Sequence, residues 1–68
     1  MAPTMVYVGA RLKKQRTLRA LTQAELAERA GVTTATVARI ERNEIDLRMT
    51  TLGELAQALE VDHAELVG

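Results

Sequence analysis

Residues 21–41, LTQAELAERAGVTTATVARIE, constrain this chain more than any other stretch, because they carry two sets of helix start signals separated by a turn signal. Thr22 followed by Glu25 is a capping box, in which each side chain satisfies a backbone N–H left without a partner at a helix start. Leu21 and Leu26 stand at the two positions of a hydrophobic staple across that cap. Gly31 supplies a left-handed residue without a Cβ clash, which predicts the end of this helix. Thr33 restarts the chain as an N-cap, with Val32 and Val37 placed as a second staple. Leu26, Ala27, Ala30, Val37 and Ile40 fall on inward positions, while Thr34, Ala35, Ala38 and Arg39 share the other side of the second helix. Two short helices at a tight turn, one with a polar outer face, form a helix-turn-helix pattern, whose use is to lay the second helix in a DNA major groove.

The rest of the chain fits around that pair. Sixty-eight residues make one small domain, and with no cysteine neither a disulfide framework nor a thiolate metal site can support it. Stability must come from helix packing, with an oligomer interface as the expected help. A first helix is predicted over about Met5 to Leu18, after a frayed 1–4, with Val8, Leu12 and Leu18 as its apolar stripe. Helices two and three fall at about 23–30 and 34–41, and Asn43 tolerates a left-handed turn after the third. Residues 44–48 read as an exposed loop. Thr50 or Thr51 caps a fourth helix, with Glu54 placed to complete a capping box on Thr51, and with Leu52, Leu55, Ala56 and Leu59 inside. A short fifth helix runs from Asp62 to about Val67. Nothing alternates with period two, so the fold class is all-α: a compact five-helix bundle.

The formal net charge is zero, but it is unevenly spread. Residues 1–48 hold all nine Lys and Arg with five of the nine carboxylates, a net +4, and residues 49–68 hold the other four carboxylates, a net −4. Arg11, Lys13, Lys14, Arg16 and Arg19 crowd the first helix. One half therefore suits phosphates and the other turns away from them.

The longest apolar run is far too short to span a bilayer, and the N-terminus lacks the order of a secretory signal, so a cytoplasmic location and no membrane partner are expected. Enzymatic function finds little support. Serine and cysteine, the two commonest nucleophiles, are missing. His63 is a single histidine and cannot hold a metal by itself, Met1, Met5 and Met49 show no cofactor spacing, and neither cofactor nor metal is expected. Tyr7, the one aromatic, offers no platform for stacking single-stranded bases and reads as a packing or interface residue.

From about residue 8 to 67 the chain resembles the XRE family, the helix-turn-helix proteins of the phage Cro and C1 repressors. The likeness rests on ARLKKQR before the motif, on TQAELA, the Gly31 turn and RIER within it, and on TLGELAQALEV after it. The resemblance implies a lambda-repressor-like fold and a regulator of transcription, a repressor or a self-regulating switch, that binds double-stranded DNA by sequence. It also implies a homodimer on a palindromic operator with half-sites about one helical turn apart. The dimer surface is expected on helices four and five and the acidic tail, including Leu66 and Val67. The stretch RIERNEIDLRMTTLGELAQALEV also resembles the stand-alone controller proteins of restriction–modification systems.

Carried onto this chain, the family pattern gives each residue a role. Thr34, Ala35 and Arg39, with Ala38 beside them, take the base-reading positions. A guanidinium can bond guanine O6 and N7 together, a contact worth about 1–3 kcal/mol of discrimination, so Arg39 leads. The plainer reading of Arg39 is a surface arginine paired with a nearby carboxylate. Two alanines leave part of the specificity to DNA shape. Gln23, near the positive end of helix two, matches the family's phosphate-binding glutamine, and Thr33, Arg42, Asn43, Arg16 and Arg48 are further phosphate candidates. Arg16 and Glu41 match a family ion pair between helices one and three, read chiefly as structural.

Two positions depart from expectation. Ala20 stands where many relatives have glycine, so a left-handed turn there costs about 1–2 kcal/mol. Gly53, inside the fourth helix, marks either a close backbone approach, for instance across a dimer interface, or a tolerated weak position. The competing class is an interaction protein. EIDLRMTTL is similar to the loop of some small antitoxins, which would add a toxin as protein partner. Contact with the transcription machinery would also suit so small a domain, as would a place as the DNA-binding fragment of a larger ligand-responsive regulator.

Overall fold

The computed structural model describes residues 4–44 and 49–67, with side chains at 8–44 and 50–66. Five helices follow one another: α1 Thr4–Leu18, α2 Gln23–Ala30, α3 Thr34–Glu41, α4 Met49–Leu59 and α5 His63–Val67. No strand occurs among the described residues. α2 packs on α3 and α4, α1 on α3 and α5, and α4 on α5, so the pair α2–α3 is held between α1 and α4.

The core is aliphatic, and its members follow the spacing of the sequence. Leu26, Ala27 and Ala30 of α2, Val37 and Ile40 of α3, and Leu52, Leu55, Ala56 and Leu59 of α4 are all buried, as their periodicity predicts. Val8 and Leu12 of α1 join them, but Leu18 does not: it is 67% exposed. The reason is helical geometry, since six residues beyond Leu12 the side chain has turned by about 240°, away from the core. Buried Leu21, just past the helix, takes that place beside Leu26 as the staple anticipates.

Caps set the entry to α2 and α3. Thr22 Oγ1 accepts from the Glu25 N–H at 3.0 Å and the Thr22 N–H donates to Glu25 Oε1 at 2.8 Å, which completes the capping box. The bond from the Thr22 backbone N–H, helped by the Thr22 hydroxyl, holds the Glu25 carboxyl below its ordinary pKa. Thr33 Oγ1 accepts from the Thr36 N–H at 3.1 Å. The expected cap at Thr50 or Thr51 is not formed, because α4 is already helical at Met49 and an N-cap residue has non-helical backbone.

Helices α1 to α4 all stop the same way, on a left-handed residue: Ala20 (φ 54°), Gly31 (φ 74°), Asn43 (φ 59°) and Glu60 (φ 58°). At each, the following N–H reaches back five residues, from Leu21 to Arg16, Val32 to Ala27, Glu44 to Arg39 and Val61 to Ala56. This is the Schellman arrangement, which satisfies carbonyls the helix end would leave open. Leu21, Val32 and Val61 then turn an apolar side chain back to the core. Glu44 is the exception: it is exposed, and its side chain bonds to Arg42.

Candidate nucleic-acid interface

α3 is fastened on its inner side and open on its outer side. Val37 and Ile40 are wholly buried. One helical face away, Thr34, Ala35 and Arg39 are exposed and Ala38 is half-buried. The four base-reading positions expected from sequence thus form one outward surface, with the Thr33 hydroxyl at its N-terminal edge. Among the described residues the Arg39 guanidinium makes no hydrogen bond or ion pair, so the plainer reading of Arg39 as one half of a surface pair gains no support from them.

The inner end of α3 is fixed by Glu41. Arg16 Nε donates to Glu41 Oε2 at 2.7 Å and Arg16 Nη2 to Glu41 Oε1 at 3.2 Å, a forked pair between α1 and α3. Arg16 Nη1 donates to the Leu21 carbonyl at 2.7 Å, and the Gln23 amide donates to Glu41 Oε1 at 3.0 Å. The two charged side chains are 12% and 5% exposed. A carboxylate removed from water this far needs its full complement of donors, and here it has three. The ion pair expected between Arg16 and Glu41 is formed, and it joins α1 to α3. Each of the three Arg16 guanidinium nitrogens makes one bond inside the protein, so the phosphate role expected of it would fall to the remaining Nη hydrogens of a side chain 12% exposed. Gln23 lies at the start of α2, and one amide N–H holds Glu41; its Oε1 makes no hydrogen bond among the described residues.

A second forked pair lies just beyond α3. Arg42 Nε donates to Glu44 Oε2 at 2.8 Å and Arg42 Nη2 to Glu44 Oε1 at 3.0 Å, with both side chains about half exposed (58% and 49%). The hydrogen bonds from Arg42, helped by its charge and by that of Arg39, hold the Glu44 carboxyl below its ordinary pKa, and Glu44 in turn raises the already high pKa of Arg42. Asn43, left-handed and exposed, sits between them. Arg48 lies outside the described residues.

Three further placements are new or differ from expectation. Gly9 is buried where α1 crosses the end of α3: a Cβ there would stand 2.7 Å from the Ile40 carbonyl oxygen and 2.5 Å from Asn43 Oδ1. The sequence signal is a glycine between Val8 and Leu12 on an otherwise apolar face, the mark of two backbones in close approach. Gly53 has the imidazole of His63 as its neighbour, at 3.4 Å from an added Cβ, so a residue of the same chain and not a second backbone occupies the space beside it. Leu66, expected at a dimer surface, is instead wholly buried in the chain's own core where α5 meets α1 and α4, which leaves none of its side chain for a partner to cover. The Val67 side chain lies outside the described ones.

Comparison with known proteins agrees with this geometry. The model of the helix-turn-helix family HTH_3 matches residues 12–66. The immunity repressor protein of Bacillus phage phi105 is 39% identical over 61 residues, which are 90% of this chain and 42% of the repressor, so the chain spans less than half of that relative. An uncharacterised HTH-type transcriptional regulator, y4dJ of Sinorhizobium fredii, is 40% identical over 88% of this chain and 78% of its own length. The restriction–modification controller protein C.AhdI of Aeromonas hydrophila superposes with a TM-score of 0.88 at 32% identity, over 91% of this chain and 94% of the controller. The exposed face of α3, the seat that holds it and these likenesses converge: the chain belongs to the XRE (Cro/C1) type of the helix-turn-helix family HTH_3, a family of DNA-binding transcriptional regulators.

Proposed function

We propose that the protein is a sequence-specific transcriptional regulator that acts as a homodimer on a two-fold symmetric operator, with α3 of each subunit in the major groove. The observation that carries this reading is the outward surface of Thr34, Ala35, Ala38 and Arg39 on a helix whose inner end is fixed by Arg16 and Glu41. One such helix reads only half a site, so two-fold symmetry supplies the rest. Arg39 reads guanine, Thr34 a base or a phosphate, and the alanine methyls reach thymine methyls. Phosphates are held by Thr33, Gln23 and Asn43, by Arg42 after exchange of its partner, and by Arg48. The likeness to a controller protein over nearly all of that protein's length favours a small self-regulating switch. The work is done in the cytoplasm, without a cofactor and without catalysis. Among the described residues no helix is long and apolar enough to cross a membrane.

Selection of bound duplexes from a random pool at moderate salt, followed by sequencing, tests this. Enrichment of a two-fold symmetric site with half-site centres about one helical turn apart is the expected result. A folded dimer that enriches nothing would move the weight to a protein partner such as a toxin.

A further inference from the structure

Glu44 places an exposed carboxylate just past the end of α3, where a helix docked on DNA would have it repelled by phosphates. Its position is not that of a loosely tethered loop residue. The Glu44 N–H is bonded to the Arg39 carbonyl at 2.9 Å as part of the Schellman end of α3, so its backbone is fixed to the helix. Its side chain then forks onto Arg42 at 2.8 and 3.0 Å. A phosphate offers arginine the same bidentate oxygen pair that Glu44 offers here. Carboxylate and phosphate thus compete for one guanidinium edge, and the pair is exposed enough for the exchange to occur from water.

We propose that Glu44 is an internal stand-in for DNA phosphate: it occupies the phosphate-binding edge of Arg42 in the free protein and sets how tightly, and with what salt sensitivity, duplex of any sequence is held. This rests on the reading that α3 docks on duplex DNA. Arg42 reaches a phosphate only by leaving Glu44, and the freed carboxylate then lies close to the duplex. Both effects act on the sequence-independent part of binding, which is governed by the number of phosphates neutralised. Glu44 acts through Arg42, and its role differs from that of a base reader, which would accept from cytosine N4 and change preference at one position.

The test compares wild type, Glu44→Gln, Arg42→Ala and the double variant, each checked for the folded helical spectrum. Binding is read by fluorescence anisotropy on a random-sequence 20-bp duplex and on the selected site, across a potassium chloride series. Glu44→Gln should bind both duplexes about two- to fivefold more tightly, the scale on which an exposed ion pair competes. Its log-affinity against log-salt slope should steepen by about 0.9, one phosphate equivalent. Arg42→Ala should weaken binding less in wild type than in the Glu44→Gln background. Unchanged affinity and slope in Glu44→Gln would overturn the proposal, as would a change confined to duplexes with cytosine at one position. If wild type and variant alike fail to bind either duplex, the docking reading itself has failed.

Discussion

Two arginine–glutamate pairs flank the end of α3, and their bonds are nearly the same. In each, Nε and one Nη of the arginine fork onto both oxygens of the carboxylate, with the shorter bond at 2.7 Å in the inner pair and 2.8 Å in the outer. Their surroundings differ. Arg16 and Glu41 are almost fully removed from water, whereas Arg42 and Glu44 are about half exposed. Geometry alone therefore does not say what an ion pair is for. The inner pair has lost the water that could replace either partner, so it acts as a fixed joint between α1, α2 and α3. The outer pair can be replaced by water, salt or phosphate, so it acts as an exchangeable contact.

The largest effect should come from breaking the inner pair. Glu41→Ala leaves the Arg16 guanidinium buried without its counter-ion and should destabilise by about 3–5 kcal/mol in denaturant unfolding. A double replacement, Arg16→Met with Glu41→Leu, should recover most of that loss, since burial is retained and no charge is stranded. If Glu41→Ala cost no more than a surface substitution, the contrast between the pairs would collapse.

Gly9→Ala comes next, because it tests the same joint without touching charge. The added methyl meets the Ile40 carbonyl, a backbone atom that cannot swing aside, and separating α1 from α3 should cost about 1–3 kcal/mol. A loss of that size, with weaker DNA binding after correction for the unfolded fraction, would show that the seat of α3 depends on close backbone approach. Ala20→Gly works in the opposite direction. It relieves a left-handed alanine next to the Arg16 clasp and should stabilise by about 1 kcal/mol, seen as a higher urea midpoint at unchanged slope.

The smallest effect concerns the outer pair and pH. The folded-state pKa of Glu44 lies below its ordinary value of 4.5, so its contribution is complete above that pH and fades as pH falls through the lowered value. The same sign holds for Glu25 in its capping box. The difference in Tm between wild type and Glu44→Gln should therefore be constant from pH 7 to 5 and shrink on acidification below about 4.5. A difference that grew on acidification would show that Glu44 is destabilising where it stands.

Much of this molecule is legible in the sequence where one local rule dominates. The Thr22–Glu25 box, the Gly31 turn, the Thr33 cap and the inner faces of α2, α3 and α4 each rest on residues a few positions apart, and each forms as predicted. The outward face of α3 follows from the same periodicity. What the sequence hides is set by distance or competition. Leu18 has the right residue type but the wrong angle on its helix. Leu66 looks available because it stands in a short polar stretch, yet α5 packs on α1 and α4 and buries it. Arg16 offers donors suited to phosphate, but Glu41 and the Leu21 carbonyl engage all three of its nitrogens, and one N–H of Gln23 goes to Glu41 as well. Glu44 reads as one more charge in a loop, because its meaning depends on a side chain two residues back curling onto it.

The turn between α1 and α2 has a dynamic consequence. The Leu21 N–H donates to the Arg16 carbonyl while the Leu21 carbonyl accepts from the Arg16 guanidinium, so both peptide groups flanking this residue are tied to one arginine. Opening the turn would break the Arg16 clasp and, through Glu41, unseat α3. The first three helices should therefore exchange amide protons as a unit, with Leu21 opening only when α3 also lets go. Their conformational entropy is surrendered during folding, so little remains to be lost on meeting a partner, and association should proceed as the docking of a rigid body with adaptable side chains on one face.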